Sequence, residues 1–180
     1  MRPITAHVAL FSLLTLHLSS CSSGSSGQVA AAIAEVGPCD ANFTATVQGQ
    51  ADFKACGAYA YTAIGYFSVI GQSGNSWITM TLFTKDRKAV VPGTYAITNG
   101  IIVPEGQAFG CGLAYKEGSA DLEHTFNSRS GTLELSAVEG DHYKGSFTVS
   151  CTRMKGEKDA RELSGSFDVM FDPAKAVGAH

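Results

Sequence analysis

Three segments in the last third of the chain repeat one pattern: a glycine, a hydroxyl residue, a large apolar residue, any residue, and a second apolar residue. They are Gly131-Thr132-Leu133-Glu134-Leu135, Gly145-Ser146-Phe147-Thr148-Val149 and Gly165-Ser166-Phe167-Asp168-Val169. Side chains alternate between the faces of an extended strand, so the two apolar residues of each unit share one face. Glu139-Gly140-Asp141 joins the first pair and the charged loop Lys155-Gly156-Glu157-Lys158-Asp159 joins the second. Short polar returns between such units predict an antiparallel meander with one side in a core. Units this short, starting only at Gly131, Gly145 and Gly165, are strand recurrence; a solenoid needs longer and more numerous copies.

The same period of two runs upstream. Phe43, Ala45 and Val47 alternate with Asn42, Thr44, Thr46 and Gln48, and Ala51 to Cys56 reads as a second strand. Gly57 to Ile64 either continues as strand or loops out. Tyr66 to Ile70 and Ser76 to Phe83 flank the cluster Gly71-Gln72-Ser73-Gly74-Asn75, the strongest hairpin signal in the chain. In the second of these runs Ile78, Met80 and Leu82 share one face; Trp77, Thr79, Thr81 and Phe83 share the other, which the aromatics should leave only partly wet. Lys85-Asp86-Arg87-Lys88 reads as a charged turn, and Pro92-Gly93 leads into a strand over Thr94 to Thr98. Ala108 to Tyr115 is a further strand, and the polar stretch Lys116 to Arg129 a long connection. The expected fold is all-β: an antiparallel sandwich or partly open barrel of about eight to ten strands, occupying residues 42–173 with a tail over 174–180.

The segment before Asn42 has a different character. Arg2 is followed by the apolar run Val8 to Leu16 and then by Leu18-Ser19-Ser20-Cys21. A membrane-spanning helix needs about 20 apolar residues, whereas this run is about half that. A positive start, a short apolar stretch and small residues before a cleavage point mark an export signal over residues 1–20. A tether and lead-in fill 21–41: Ser22-Ser23-Gly24-Ser25-Ser26-Gly27 is flexible, and an alanine-rich run after it ends at Gly37-Pro38. Leu18-Ser19-Ser20-Cys21 resembles the lipobox of bacterial lipoproteins. The resemblance covers Met1 to Cys21 and implies that Cys21 is acylated, becomes the mature N-terminus and anchors the chain to a membrane. Ser22 stands where the retention signal of the inner membrane usually places Asp, which points to the outer membrane of a two-membrane envelope.

Removing residues 1–20 leaves 160, enough for one domain with a sizeable core. Arg2 is the only charged residue lost, so 12 basic and 16 acidic residues remain and the formal charge is −4. The Lys and Arg are scattered, without the basic stripe and interleaved aromatics that nucleic acid requires.

With Cys21 assigned to lipid, Cys39, Cys56, Cys111 and Cys151 remain. An even number in an exported chain reads as two disulfides, whose connectivity the sequence leaves open; Cys39–Cys56 and Cys111–Cys151 cross the least chain. Each cysteine is far from the next in sequence, unlike the closely paired thiols of a zinc site.

Signals for catalysis, metal or cofactor are lacking. Asp121-Leu122-Glu123-His124 is the one local set of metal-ligand types, but in an extended segment His124 points away from the two carboxylates. His142 sits in a turn. Neither the G-x-S-x-G elbow nor a phosphate-binding glycine loop occurs. Tyr59, Tyr61, Tyr66, Phe67, Trp77 and Phe83 crowd one short stretch, and a sandwich or barrel that gathered them would form a groove for a sugar, lipid or peptide. Tyr59, Tyr61, Tyr66, Trp77 and Phe83 are the candidate ligand-binding residues; the alternative places aromatics in the core.

The strands that begin at Gly131, Gly145 and Gly165, preceded by Pro92-Gly93-Thr94-Tyr95, resemble small uncharacterised bacterial lipoproteins over residues 42–171. That likeness bears on the fold and carries no activity. The expectation is a membrane-anchored, non-catalytic envelope protein with a binding or structural role toward an envelope protein or a small apolar ligand. The alternative is a lipid or sugar carrier with an aromatic-lined cavity; a hydrolytic enzyme ranks lower.

Overall fold

The computed structural model describes residues 40–84, 86, 88–100, 102–118, 121–155 and 159–175. The export signal, Cys21, the Ser/Gly tether and Cys39 lie outside the described residues. Ten strands follow in order: β1 Phe43–Val47, β2 Phe53–Ala55, β3 Tyr59–Ala63, β4 Tyr66–Ser73, β5 Ser76–Thr84, β6 Gly93–Thr98, β7 Phe109–Lys116, β8 Thr125–Glu139, β9 His142–Arg153 and β10 Ala160–Phe171. Among the described residues the only helical pieces are single 3-10 turns at Leu122–His124 and Pro173–Lys175. The all-β expectation holds: one large mixed sheet curls into a ring without becoming a regular barrel.

The ring closes by a circuit of pairings, β3–β4–β5–β7–β8–β9–β10 and back to β3. Two wedges make it irregular. β7 and β8 pair directly only at Ala114–Lys116 against Thr125–Asn127. Beyond that point β6 enters between them, antiparallel to β8 and touching β7 in parallel at Ile97 and Cys111. Ser128 bridges this fork: its hydroxyl donates to the Thr98 carbonyl at 2.7 Å and accepts from the Leu113 amide at 3.0 Å. At the other seam β10 meets β3 over only two residues, and the β1–β2 pair fills the opening alongside β10.

The three repeated segments form β8, β9 and β10, with the predicted alternation. Leu133, Leu135, Phe147, Val149, Phe167 and Val169 are all buried in one core. Their glycines share the inward face, and register gives them a task. Gly145 lies opposite Phe167, and Gly165 opposite Phe147. A Cβ at Gly145 would stand 2.6 Å from the Phe167 ring, so this glycine vacates the space that the facing phenylalanine fills, whereas Gly165 makes room for β1 at Thr44 and Ala45. Phe43, fully buried, extends the cluster, with ring centroids 5.7 Å from both Phe53 and Phe147 and 6.1 Å from Phe167.

Two segments differ from expectation. β4 runs on through Gly71 to Ser73, so the hairpin turn shrinks to Gly74-Asn75; Gly71 is strand because the Phe43 ring packs against its bare Cα, 3.0 Å from where a Cβ would lie. The polar stretch expected to connect is shorter than expected, since β8 begins at Thr125. Register shifts at Ser128/Ser130 and Leu135/Ala137 bend this long strand around the ring, as bulges do.

Gly165 sets the closest backbone approach of the seam, since a Cβ there would lie 2.2 Å from the Thr44 carbonyl oxygen. Gly165→Ala is expected to cost roughly 1–3 kcal/mol of stability in urea unfolding, because the β1 backbone at Thr44 and Ala45 cannot give way. Gly57, with open space within 4 Å of where a methyl would go and no left-handed φ, is the control; Gly57→Ala should stay within about 0.5 kcal/mol of the parent.

Candidate functional site

One end of the ring is plugged. Arg153 and Arg161 follow the inward-facing positions of β9 and β10, and each guanidinium carbon sits 5.0 Å from the centre of the Phe126 ring. Arg153 is held by Asp159 at 2.9 Å and by the Glu123 carbonyl at 2.6 Å. Arg161 faces Glu117 at 3.7 Å, and Gln50 donates to Glu117 at 2.6 Å. Below this plug the interior is solid: Phe67, Val69, Met80, Leu82, Leu133, Leu135 and Phe167 leave no room between them for a water.

The other end is open. There a cleft of about 530 Å³ is lined by Thr62 to Phe67, Leu82, Thr84, Lys88 to Val90, Val138, Gly140 and Tyr143. Its floor is the top layer of the core, where Phe67 and Tyr143 stack tilted with centroids 4.6 Å apart. The tight turn at Gly65, with φ of +84°, forms one lip and carries Ile64, which is 66% exposed. Beside it the Thr84 amide donates to the Gly65 carbonyl at 3.0 Å, and the Lys88 amide donates to the Thr84 hydroxyl at 3.1 Å, which brings Lys88 to the rim. Burial first, and the nearby Asp141 charge second, push the Tyr143 phenol up from its ordinary pKa, so it stays a neutral hydroxyl. Among the described lining residues there is no carboxylate, imidazole or thiol. The cleft therefore offers an apolar floor, several hydroxyls and one cation, a set suited to holding an apolar body with a polar or anionic end.

The candidate aromatics are placed differently from expectation. Because Phe67, Val69, Ile78, Met80 and Leu82 take the inward positions of β4 and β5, their neighbours Tyr66, Trp77 and Phe83 must face outward. Register then puts Tyr59 and Tyr61 of β3 on that same outer face, opposite Ile70 and Ser68. The structure brings four of the five into one chain: Tyr59–Tyr61, Tyr61–Tyr66 and Tyr66–Phe83, each with centroids 6.2 Å apart. Lys175 caps the Tyr59 end at 5.8 Å. Beneath them Ser68 is wholly buried although it points outward, its hydroxyl 2.9 Å from that of Thr81. An interior cavity lined by these five is thus corrected to an outer aromatic strip, since the core residues of the same strands already occupy the inside. Tyr66 alone among them also lines the mouth cleft. Lys88, Val90, Val138 and Tyr143, which complete the cleft, carry no sequence signal: they lie in a charged turn and at the ends of strands that meet only in the ring.

The cysteines also need correction. Cys111 and Cys151 are free, buried thiols, not a disulfide. Cys111 pairs with Ile97, whose partner Gly131 faces Val149, two residues from Cys151. Ser128, the partner of Cys151, accepts from the Leu113 amide two residues from Cys111, so β8 stands between the strands that carry the two thiols. Burial pushes both thiols up to about 12. Cys56 is disulfide-bonded, to a residue outside those described.

The remaining polar candidates are engaged structurally. Glu123 pairs with Lys155 at 2.8 Å, and the Asp121 carbonyl accepts from the His124 amide and the Thr125 hydroxyl, closing the 3-10 turn. Asp168 pairs with Lys144 at 2.9 Å and with His142 on the outer face of β9 and β10. Lys144 and then His142 hold the Asp168 carboxyl below its ordinary value. Among the described residues no group of three or more metal-ligand side chains converges, and no helix is long and apolar enough to cross a membrane. No protein-family model, curated protein or solved structure matches the chain.

Thiol titration tests the corrected cysteine assignment. Native protein should leave Cys111 and Cys151 unreactive toward Ellman's reagent, and urea without reductant should expose two further reactive thiols that the Cys111→Ser, Cys151→Ser double variant lacks. No such gain on unfolding would restore the disulfide.

Proposed function

We propose that this chain is an exported lipoprotein, acylated at Cys21, that tethers a β ring to an envelope membrane and holds the apolar part of a small ligand in its mouth cleft without transforming it. The observation that carries the binding role is the cleft itself: about 530 Å³ of space over an apolar floor, beside a core with no room for a water. That volume lies in the range of small-molecule sites. Lys88 at the rim favours an amphiphile with an anionic end. The lack of any described nucleophile–base pair in the cleft supports binding over hydrolysis, and the cleft favours a ligand-holding role over a purely structural one. Anchoring rests on Arg2, the short apolar run and Leu18-Ser19-Ser20-Cys21, with Ser22 favouring the outer membrane.

Two measurements test the proposal. Cys21→Ala, or inhibition of the lipoprotein signal peptidase with globomycin, should block processing and acylation; unchanged processing and fractionation would remove the anchor. For the cleft, a dansyl-labelled medium-chain fatty acid should bind saturably at one site. Ala89→Trp, which fills the cleft from an exposed position, should weaken binding at least about tenfold, or about 1.4 kcal/mol. Lys88→Glu should weaken the fatty acid more than its uncharged alcohol. Binding indifferent to Ala89→Trp would overturn the cleft as the site.

A further inference from the structure

The fork where β6 parts β7 from β8 leaves a second concavity, on the outer wall. It is a cup of about 220 Å³ lined by Thr79, Thr81 and Phe83 of β5, Gly112 and Ala114 of β7, and Asn127 of β8. Register explains its shape. Thr79 lies opposite Ala114, which lies opposite Asn127, and Thr81 lies opposite Gly112. The middle strand therefore has almost no side chains here, while its neighbours rise on both sides. Gly100, whose carbonyl oxygen would be 3.0 Å from a Cβ on Gly112, closes one end. The Thr79 hydroxyl and the Asn127 amide have no hydrogen-bond partner among the described residues. Trp77 is the next outward residue along β5 from Thr79, about 7 Å away at two residues' rise, and it is 38% exposed.

We propose that this cup and the Trp77 ring form adjoining subsites for a neutral oligosaccharide carrying N-acetyl groups. The small apolar floor accepts a methyl, and the Asn127 amide and Thr79 hydroxyl supply a donor and acceptor for an acetamido group. Trp77, the next outward position along the strand, offers a face on which the C–H side of the neighbouring sugar ring stacks. The lining residues of the cup carry no charge, which disfavours a phosphate or carboxylate inside it; Lys116 lies opposite Trp77, outside the cup. A protein partner anchored by aromatic and arginine side chains would need a deeper apolar socket than this shallow, hydroxyl-edged cup provides. The cup shares no lining residue with the mouth cleft, so this inference stands or falls independently of fatty-acid binding there.

Trp77 is the only tryptophan in the chain, so its emission reports this site alone. Tri-N-acetylchitotriose should shift Trp77 emission saturably, and calorimetry should give one site per chain. Ala114→Leu, which fills the cup from the outer face, should weaken binding at least tenfold with the melting temperature kept, and Asn127→Ala should do the same in part. Lys88→Glu should leave it unchanged. Cellotriose, lacking the acetamido group, should bind at least tenfold more weakly. Absence of saturable binding by either probe, or full binding by Ala114→Leu, overturns the site; equal binding of the two sugars overturns the acetamido assignment.

Discussion

The whole ring depends on steric complementarity between inward-facing glycines and the bulky residues across from them. Where β9 runs antiparallel to β10, Gly145 faces Phe167 and leaves the space that its ring fills, while Gly165, opposite Phe147, admits the β1 backbone at Thr44 and Ala45. The arrangement follows from giving two antiparallel strands the same Gly-x-Phe pattern in a register that crosses them. Gly71 extends it to the opposite wall, where β4 meets Phe43. A sheet with uniformly large inward side chains could not curl this tightly; glycine–phenylalanine pairs let the walls approach while the rings still fill the centre.

That filling decides where function can reside. With Phe43, Phe147 and Phe167 at the centre and the Arg153–Phe126–Arg161 stack across one end, neither a lumen nor a second entrance is left among the described residues. Ligand space lies at the mouth, where the strands outrun the core, on the outer wall, where strand pairing forks, and in a further concavity along β1, β2 and β10. The same exclusion turns the aromatic strip outward. Inward positions of β4 and β5 are taken by aliphatic residues and Phe67, and alternation leaves Tyr66, Trp77 and Phe83 only the outside.

Alternation makes the strands legible in the sequence, because it is a local property. Leu133, Leu135, Phe147, Val149, Phe167 and Val169 are readable as core on spacing alone, as is the division of β5 into an Ile78/Met80/Leu82 face and a Trp77/Phe83 face. Which of those faces turns inward is also local, since the aliphatic set is the more apolar. The start of β8 at Thr125 is hidden because Asn127, Ser128, Arg129 and Ser130 are polar; they are strand because β7, β6 and β9 pair with them, and pairing is a long-range fact. The cleft is hidden for the same reason, since Tyr66, Lys88 and Tyr143 come together only when the ring closes. The cysteine count misleads because parity says nothing of position: Cys111 and Cys151 sit on wall strands kept apart by β6 and β8.

The mouth cleft and the fork cup lie at two kinds of place where a closed sheet must break its own regularity. At the mouth the chain has to turn, so Gly65 and the residues after β5 lift away from the core and expose its upper layer. At the fork an extra strand has to be admitted, so Gly112 and Ala114 keep the outer wall low while the Ser128 hydroxyl joins β7 to the end of β6. Both irregularities leave polar groups beside small or apolar floors, because backbone that departs from the ladder must be satisfied by hydroxyls and amides. Sites of mixed polarity are thus a direct consequence of closing ten unequal strands into one ring, and the residues that permit closure are also those that shape the surfaces available for binding.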